Sequence, residues 1–153
     1  MCSEKSELNM PKFAQGKFIP KNPAKYVGKR NPMFRSSWEL VFCNFCDNHP
    51  SVISWASEAI AIPYMCPFRK KVTQYVPDFF ITYLDRDGNQ HVEIVEIKPY
   101  KETGQKKTRS QRDALVSLRN LAKWAAAQAY CEKQGFKFRV LTENELFRMG
   151  QPQ

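Results

Sequence analysis

The sequence predicts an α/β (α+β) domain in which a central mixed β-sheet is flanked by α-helices. Two runs of aromatic and β-branched residues, 78–84 and 92–97, surround an Asp87-Gly88 turn and indicate a β-hairpin. A long amphipathic helix then leads to a further strand at 136–141, and a helical crossover of this kind favours parallel pairing. Antiparallel and parallel strands in one sheet, with helices packed on it, define the predicted class.

The register of the hairpin decides whether its polar side chains meet. A two-residue turn would place Asp78 opposite Ile97, whereas a three-residue loop closed by Gly88 in the left-handed conformation places Asp78 opposite Glu96. We expect the second arrangement. Lys98 then projects from the same face as Glu96, because side chains alternate along a strand.

Two facing carboxylates and a nearby ammonium predict a metal site. Like charges set opposite each other destabilise a sheet unless a cation lies between them. Mg²⁺ suits such a pair, because it takes one or two carboxylates, keeps several waters and binds substrate phosphate. The alternative is an ordinary solvent-facing strand in which Asp78 caps a turn. The combined pattern of Pro77-Asp78, hairpin spacing and Lys98 favours the metal site.

The charge of the chain points to a polyanionic partner. Its 153 residues include 24 Lys and Arg against 15 Asp and Glu, a net charge of +9. Seven of these cations lie between residues 12 and 35 with no acid among them, interrupted by three prolines. We expect an extended arm along a phosphate backbone, anchored by Phe18, Ile19, Tyr26 and Phe34.

A second basic stretch follows Lys98. Together with the arm it supplies the candidate DNA-binding residues, which are Lys17, Lys21, Lys25, Lys29, Arg30, Arg35, Lys101, Lys106, Lys107, Arg109 and Arg112. We expect residues 1–15 to be a flexible tail and residues 16–150 to form a single domain.

Several classes of protein are not expected. No apolar run has the length needed to cross a bilayer, and the first residues lack the apolar region of a signal peptide. Five irregularly spaced cysteines fit reduced thiols better than a disulfide framework. We therefore expect an intracellular protein that is not secreted.

The helix after the basic arm gives Glu39 two candidate roles. Ser36 followed by Glu39 is a capping-box pattern, and the apolar residues that follow have helical spacing to about Asp47. Glu39 can reach back to the Ser36 amide, or it can point to the metal as a third carboxylate. Local sequence favours the cap, and the two roles are expected to need different rotamers.

The same helix carries a cluster of potential zinc ligands. Cys43, Cys46 and His49 lie at helical spacing, and Cys66 is a candidate fourth ligand. No second Cys-x-x-Cys or His pair follows, and a helical cysteine facing a core behaves as a small hydrophobe. Zinc is therefore not the expected metal.

The remaining elements follow from turn and capping signals. Short strands are indicated at 52–55 and 59–62, the second ended by Pro63, and Glu58 between them is interpreted as a structural group. Ser110 and Gly135 bound the long helix. Its buried stripe is expected to comprise Leu115, Leu118, Leu121, Ala122, Ala125 and Ala129. Thr142 and Glu145 are expected to cap a last short helix.

These motifs resemble a known group of nucleases. Pro77-Asp78 and Glu96-Ile97-Lys98, with Glu39 on a preceding helix, are similar to the PD-(D/E)xK nuclease superfamily. Further sequence segments resemble the endonuclease subunit of bacterial transposition systems. These segments are 34–39, 55–58, 62–64 and 75–79. The sequence is most similar to the head completion nucleases of T4-like tailed phages, and residues 16–23 resemble an N-terminal segment of those proteins.

The resemblance implies a restriction-endonuclease-like core and Mg²⁺-dependent cleavage of double-stranded DNA, with Mn²⁺ as a substitute. It implies Glu39, Asp78, Glu96 and Lys98 as catalytic residues. The implied metal ligands are Asp78, Glu96 and the Ile97 carbonyl, with Glu39 bound directly or through water. The implied setting is phage head completion and head–tail joining in the host cytoplasm or on the virion, with portal or connector proteins as partners. The alternatives are a transposase-like or junction-cleaving endonuclease and a non-catalytic protein that binds DNA ends or the portal.

Overall fold

A four-stranded mixed sheet forms the centre of the computed structural model, which describes residues 15–103 and 110–149. The elements in chain order are β1 (Gly16–Lys17), β2 (Met33–Phe34), α1 (Ser37–Asn48), β3 (Val52–Ser57), β4 (Ile62–Cys66), β5 (Lys71–Tyr75), β6 (Phe79–Leu84), β7 (Gln90–Ile97), α2 (Gln111–Gln134), β8 (Lys137–Leu141) and α3 (Glu143–Met149). Short 3₁₀ turns occur at Pro23–Lys25 and Tyr100–Glu102. The sheet order is β3-β6-β7-β8, antiparallel except for the parallel β7–β8 pair, so the predicted α+β class is confirmed.

The hairpin β6–β7 has the predicted register. Phe79 pairs with Val95 and Leu84 with Gln90, so the residues just beyond the pairing are Asp78 and Glu96. The Asp85 amide donates to the Asn89 carbonyl at 2.9 Å, which closes a three-residue loop. Gly88 takes the left-handed conformation in this loop, with a φ of 83°. The strand itself begins at Phe79, one residue after the predicted start.

Alternation along the strands separates two hydrophobic cores. One core lies against α1 and α3 and contains Phe42, Trp55, Phe79 and Val95. The other contains Tyr75 and Ala127, with Trp124 and Phe138 packed against it, and joins α2 to the β4–β5 hairpin. Because Glu96 follows the buried Val95 and precedes Ile97, its side chain points to the α2 face of the sheet.

The segment between β3 and β6 differs from its prediction. Residues 59–61 precede the strand, and Pro63 lies inside β4 instead of ending a strand. β4 pairs only with β5, in a separate two-stranded sheet where Pro63 faces Gln74. Proline is tolerated there because an edge strand has one side without a ladder partner.

Helix α2 begins and ends as predicted but packs through a different face. Ser110 Oγ accepts from the Asp113 amide at 3.0 Å, and Gly135 ends the helix with a φ of 76°. The predicted stripe is mostly exposed, with Leu115, Leu118 and Leu121 each about half accessible at 47%, 52% and 48%, and of its members Ala122 packs against the second core.

The buried face of α2 instead comprises Ser117, Asn120, Ala127 and Cys131. Its small side chains let the helix lie close to β4 and β8. The side-chain amide of Asn120 donates through Nδ2 to the Glu102 carbonyl at 3.1 Å. Among residues 15–103 and 110–149, no helix combines the length and apolar character that crossing a bilayer requires.

The described part of the basic arm is docked on the domain. Phe18 is buried and Tyr26 packs edge-on against Trp55, whereas Ile19 is 85% exposed, so the prediction that Ile19 anchors the arm is wrong. Asp47, buried at the end of α1, accepts hydrogen bonds from the backbone amides of Lys21 and Asn22 at 2.8 and 2.9 Å. One carboxylate therefore fixes the path of the arm.

Candidate active site

The carboxylates of Asp78 and Glu96 meet at the open end of the β6–β7 hairpin. The Ile97 amide donates to Asp78 Oδ2 at 2.8 Å, and the Asp78 amide lies 3.3 Å from Glu96 Oε1, to which it donates. Each side chain is thus held by the backbone of the opposite strand. Burial and the charge of Glu96 raise the pKa of Asp78, and burial raises the pKa of Glu96.

Lys98 supplies a positive charge beside this pair. Its Nζ lies 3.8 Å from Glu96 Oε2, and its charge opposes the rise in the pKa of both carboxyl groups. The Lys98 amide donates to the Leu141 carbonyl at 3.0 Å, so the end of β8 fixes the backbone at this position. The parallel β8 strand therefore contributes to the site through the main chain.

Glu39 faces the same cluster from the first turn of α1. Burial, and then the charge of Asp78, raise the pKa of Glu39 to about 7. Ser36 Oγ accepts from the Glu39 amide at 3.1 Å, as predicted for a cap. A capping box would also have the Glu39 carboxylate accept from the Ser36 amide. Glu39 Oε1 instead accepts from the Arg35 amide. The predicted contact of the Glu39 carboxylate with the Ser36 amide is therefore not formed, and the role of Glu39 as a metal ligand stays a prediction.

An ion pair next to Glu39 involves one of the predicted DNA contacts. The Arg35 guanidinium donates to both carboxylate oxygens of Glu58 at 2.6 and 3.2 Å. Glu58 has a positive φ of 48°, and its amide donates to the Asp78 carbonyl at 2.9 Å. Glu58 thus links the segment before α1 to the backbone of the carboxylate pair.

Lys123 and Tyr75 also lie at the site, and sequence reasoning missed both. The Lys123 Nζ is 5.6 Å from the centroid of the Tyr75 ring. Burial and the neighbouring charge of Lys98 lower the pKa of Lys123. Burial, and then the charge of Glu96, raise the pKa of Tyr75, whose buried hydroxyl has no hydrogen-bond partner among the described residues. Tyr75 belongs to the 75–79 stretch of the resemblance but was given no role there, and Lys123 belongs to no local motif, so the packing of α2 on β5 is what places both at the site.

The candidate DNA-binding residues other than Arg35 fall into three groups. Side chains on the open surface are Lys17, Lys21, Lys29, Arg30 and Arg112. Lys25 differs, because its Nζ donates to the carbonyls of Asp47 and His49 at 3.1 and 2.9 Å and caps the end of α1. Lys106, Lys107, Arg109 and the side chain of Lys101 lie outside the described part of the chain.

A groove beside the carboxylates carries two of the exposed cations. Its volume is about 450 Å³, and its lining includes Lys29, Arg30, Glu58 and Val76. Val76 lies two residues before Asp78, and the amide of Glu58 donates to the Asp78 carbonyl, so the groove lies near the backbone of the carboxylate pair. The groove brings positive charge from the basic arm to the site.

The donor set favours a hard cation over zinc. Within residues 15–103 and 110–149, no three His, Cys, Asp or Glu side chains are already grouped as metal ligands. Two carboxylates with backbone and water oxygens suit Mg²⁺, whereas structural zinc requires four protein ligands. Cys43 and Cys46 are buried in the core, and exposed His49 accepts from the Ser51 amide through Nδ1.

Comparison with known proteins gives two matches. Residues 49–143 match the model of the TnsA-like endonuclease N-terminal family, a span that includes Asp78, Glu96 and Lys98 but not Glu39. The chain is also 36% identical over 146 residues to the head completion nuclease of Enterobacteria phage T4. That alignment covers 88% of this chain and 95% of the phage protein. The chain therefore belongs to the TnsA-like endonuclease N-terminal family.

Proposed function

We propose that this protein is a Mg²⁺-dependent deoxyribonuclease that hydrolyses phosphodiester bonds in double-stranded DNA. The observation that carries the proposal is the buried pair of Asp78 and Glu96, each bound to the other strand's backbone, with Lys98 beside them. Membership of an endonuclease family supports the broader class of DNA-cleaving enzyme. The pair has more negative charge than Lys98 alone neutralises, which supports a divalent cation as the missing partner.

Asp78, Glu96 and the Ile97 carbonyl would hold the ion, with Glu39 as a direct or water-mediated ligand. When bound there, Mg²⁺ would supply Lewis-acid chemistry, polarising a phosphate oxygen and activating a water. The protein contributes the positions of the groups around this chemistry. Lys98 is placed to orient the attacking water or to neutralise charge that develops on the phosphate.

Glu39 is the third carboxylate that would face the ion. Its pKa of about 7 results from burial beside Asp78 in the protein without bound metal. The amide of Arg35 fixes one of its oxygens, which leaves the other free to face water or the ion. The cations of the groove and the arm bind the DNA backbone and bring it to the carboxylates.

The biological setting is proposed from the phage relative. We propose action on packaged phage DNA during head completion and head–tail joining, in the host cytoplasm or on the particle, with portal or connector proteins as partners. The family match favours one alternative, a transposase-like or junction-cleaving endonuclease. The cleavage rates of linear duplex DNA and of branched DNA, measured with one protein preparation, distinguish the two functions. A non-catalytic protein that binds DNA ends would cleave neither.

Plasmid cleavage tests the chemistry. Supercoiled plasmid should be nicked or linearised with Mg²⁺ or Mn²⁺ and left intact with EDTA. Asp78→Ala and Glu96→Ala should lower the cleavage rate by orders of magnitude and leave DNA affinity largely unchanged, because the cations supply binding. Asp87→Asn, in the exposed turn at the far end of the same hairpin, is the matched control and should cleave normally. Wild-type cleavage by Asp78→Ala would refute the proposal.

A further inference from the structure

Two cations lie on the side of α2 that faces the β4–β5 hairpin, near the site. The proposed function gives neither of them a role. Lys123 is half-buried over the ring of Tyr75, and Arg119 lies one turn earlier with its Cζ 5.4 Å from the centroid of the Phe68 ring. Residues four apart on a helix share one side, so both face the hairpin. Among the described residues, neither cation forms an ion pair with a carboxylate.

Lys123 lies among charges of both signs, with Glu96 and Asp78 on the side of the carboxylate pair and Lys98 and Arg119 as its cationic neighbours. Lys123 is close enough to Lys98 and Arg119 for their charges to disfavour its own. Arg119 lies over the ring of Phe68, which directly precedes Arg69 in the β4–β5 turn. Lys98, Lys123, Arg119 and Arg69 thus lie in order between the carboxylate pair and this turn, and we call them the α2 track. It runs from the carboxylate pair to the tip of the hairpin.

A row of like charges is costly unless an anion lies along it. The aromatic rings hold Lys123 and Arg119 in place by cation–π contacts, so these side chains are positioned before any ligand arrives. One helical turn rises about 5.4 Å. That rise is comparable with the separation of successive phosphates in one DNA strand. An extended polyanion fits this spacing.

We propose that the α2 track binds backbone phosphates of the DNA strand next to the scissile bond, with Lys123 and Arg119 as its contacts. This inference rests on the proposed function, because it takes DNA as the substrate. It adds a second binding surface, since Lys29 and Arg30 line a groove beside β3 and Glu58, whereas the track follows α2 and Lys98. Lys123 acts as a positioning residue that holds the strand in line with the carboxylates.

DNA binding in EDTA tests the track without cleavage. Lys123→Met and Arg119→Met remove the charge but keep an aliphatic stem over the ring. Fluorescence anisotropy with an end-labelled duplex should show that each variant binds several-fold more weakly. The slope of log Kd against log salt should fall by about 1 for each phosphate that the variant no longer binds. Lys133→Met, in the last turn of the same helix, is the matched control and should bind as the wild type does.

Steady-state cleavage separates positioning from a structural role. Lys123→Met should raise KM more than it lowers kcat, and Lys123→Arg should restore KM because it restores the charge. Circular dichroism melts establish that each variant is folded. A folded double variant with the wild-type Kd and salt slope would overturn the inference. So would a loss of affinity that accompanies a fall in Tm while the salt slope stays unchanged.

The same measurements keep the two proposals apart. If the wild type cleaves with Mg²⁺ and the double variant binds normally, the track is refuted and the nuclease stands. If the wild type never cleaves but the double variant loses affinity and salt slope, the track stands and the nuclease is refuted.

Discussion

At the residue scale, the site is defined by negative charges that the fold brings together at a cost. Burial and the charge of Glu96 raise the pKa of Asp78, and burial raises the pKa of Glu96, so ionising both in the metal-free protein opposes folding. Among the described residues, Lys98, at 3.8 Å from Glu96, and Lys123 partly offset this charge. A site that is unfavourable without its cation is consistent with a role in binding one.

This cost gives a prediction for Asp78→Asn. The amide oxygen can still accept from the Ile97 amide, while the repulsion with Glu96 is removed. We expect the variant to be more stable than the wild type in EDTA by about 1 kcal/mol. Because a raised carboxyl pKa makes folding less favourable as pH rises above about 4, the difference should grow toward alkaline pH.

Thermal melts in EDTA and in Mg²⁺ measure this effect. Mg²⁺ should raise the Tm of the wild type but not that of Asp78→Asn, since a ligand stabilises only the state that binds it. Asp87→Asn again serves as the control and should follow the wild type under both conditions. If Asp78→Asn is less stable than the wild type in EDTA, or gains the same Mg²⁺-dependent shift, the charge assignment is wrong.

At the element scale, most boundaries could be predicted because their signals are local. The Ser36 and Ser110 caps, the Gly135 stop and the Gly88 turn each depend on a few neighbouring residues. The hairpin register followed from loop length and side-chain parity, and it brought Asp78 and Glu96 together without any knowledge of the rest of the fold.

What could not be predicted depends on contacts between distant elements. The long helix has two plausible packing faces, and the more apolar one with Leu115 and Leu118 is exposed, because the face with Ala127 and Ser117 fits closely against β4 and β8. Lys123 was missed for this reason. The position of the basic arm was missed because it depends on Asp47. The Asp47 carboxylate accepts from the Asn22 amide, which lies 25 residues earlier in the chain.

Asp47 is therefore the residue whose loss should release the arm. In Asp47→Ala the amides of Lys21 and Asn22 lose their acceptor, so we expect the free energy of unfolding to fall by about 3 kcal/mol. Urea unfolding monitored by tryptophan fluorescence measures the change, since Tyr26 packs against Trp55 beneath the arm. Asn44→Ala, on the exposed side of the same helix, should be nearly neutral. Equal stability of the two variants would show that Asp47 does not hold the arm.

At the scale of the whole molecule, positive charge is arranged around the carboxylates. The groove with Lys29 and Arg30 opens beside Glu58, which follows β3, and the α2 track begins at Lys98, which follows β7. The carboxylate pair lies at the end of the hairpin that β6 and β7 form, and β3 is the other neighbour of β6 in the sheet. The cations of the groove and of the track therefore lie near the site, and they account for part of the net charge of +9.

The double variant Lys29→Ala/Arg30→Ala tests the groove. We expect it to raise the KM for DNA at moderate salt, with kcat largely retained, and to reduce the salt slope of binding by up to about 2, because both cations are exposed and free to meet phosphates. Lys137→Ala, an exposed cation at the far end of β8, should leave both quantities unchanged. Lys25→Ala should lower stability more than it changes affinity, because its ammonium is bound to carbonyls at the end of α1. If Lys137→Ala weakened binding as much as the groove variant, general charge and not the groove would govern DNA binding.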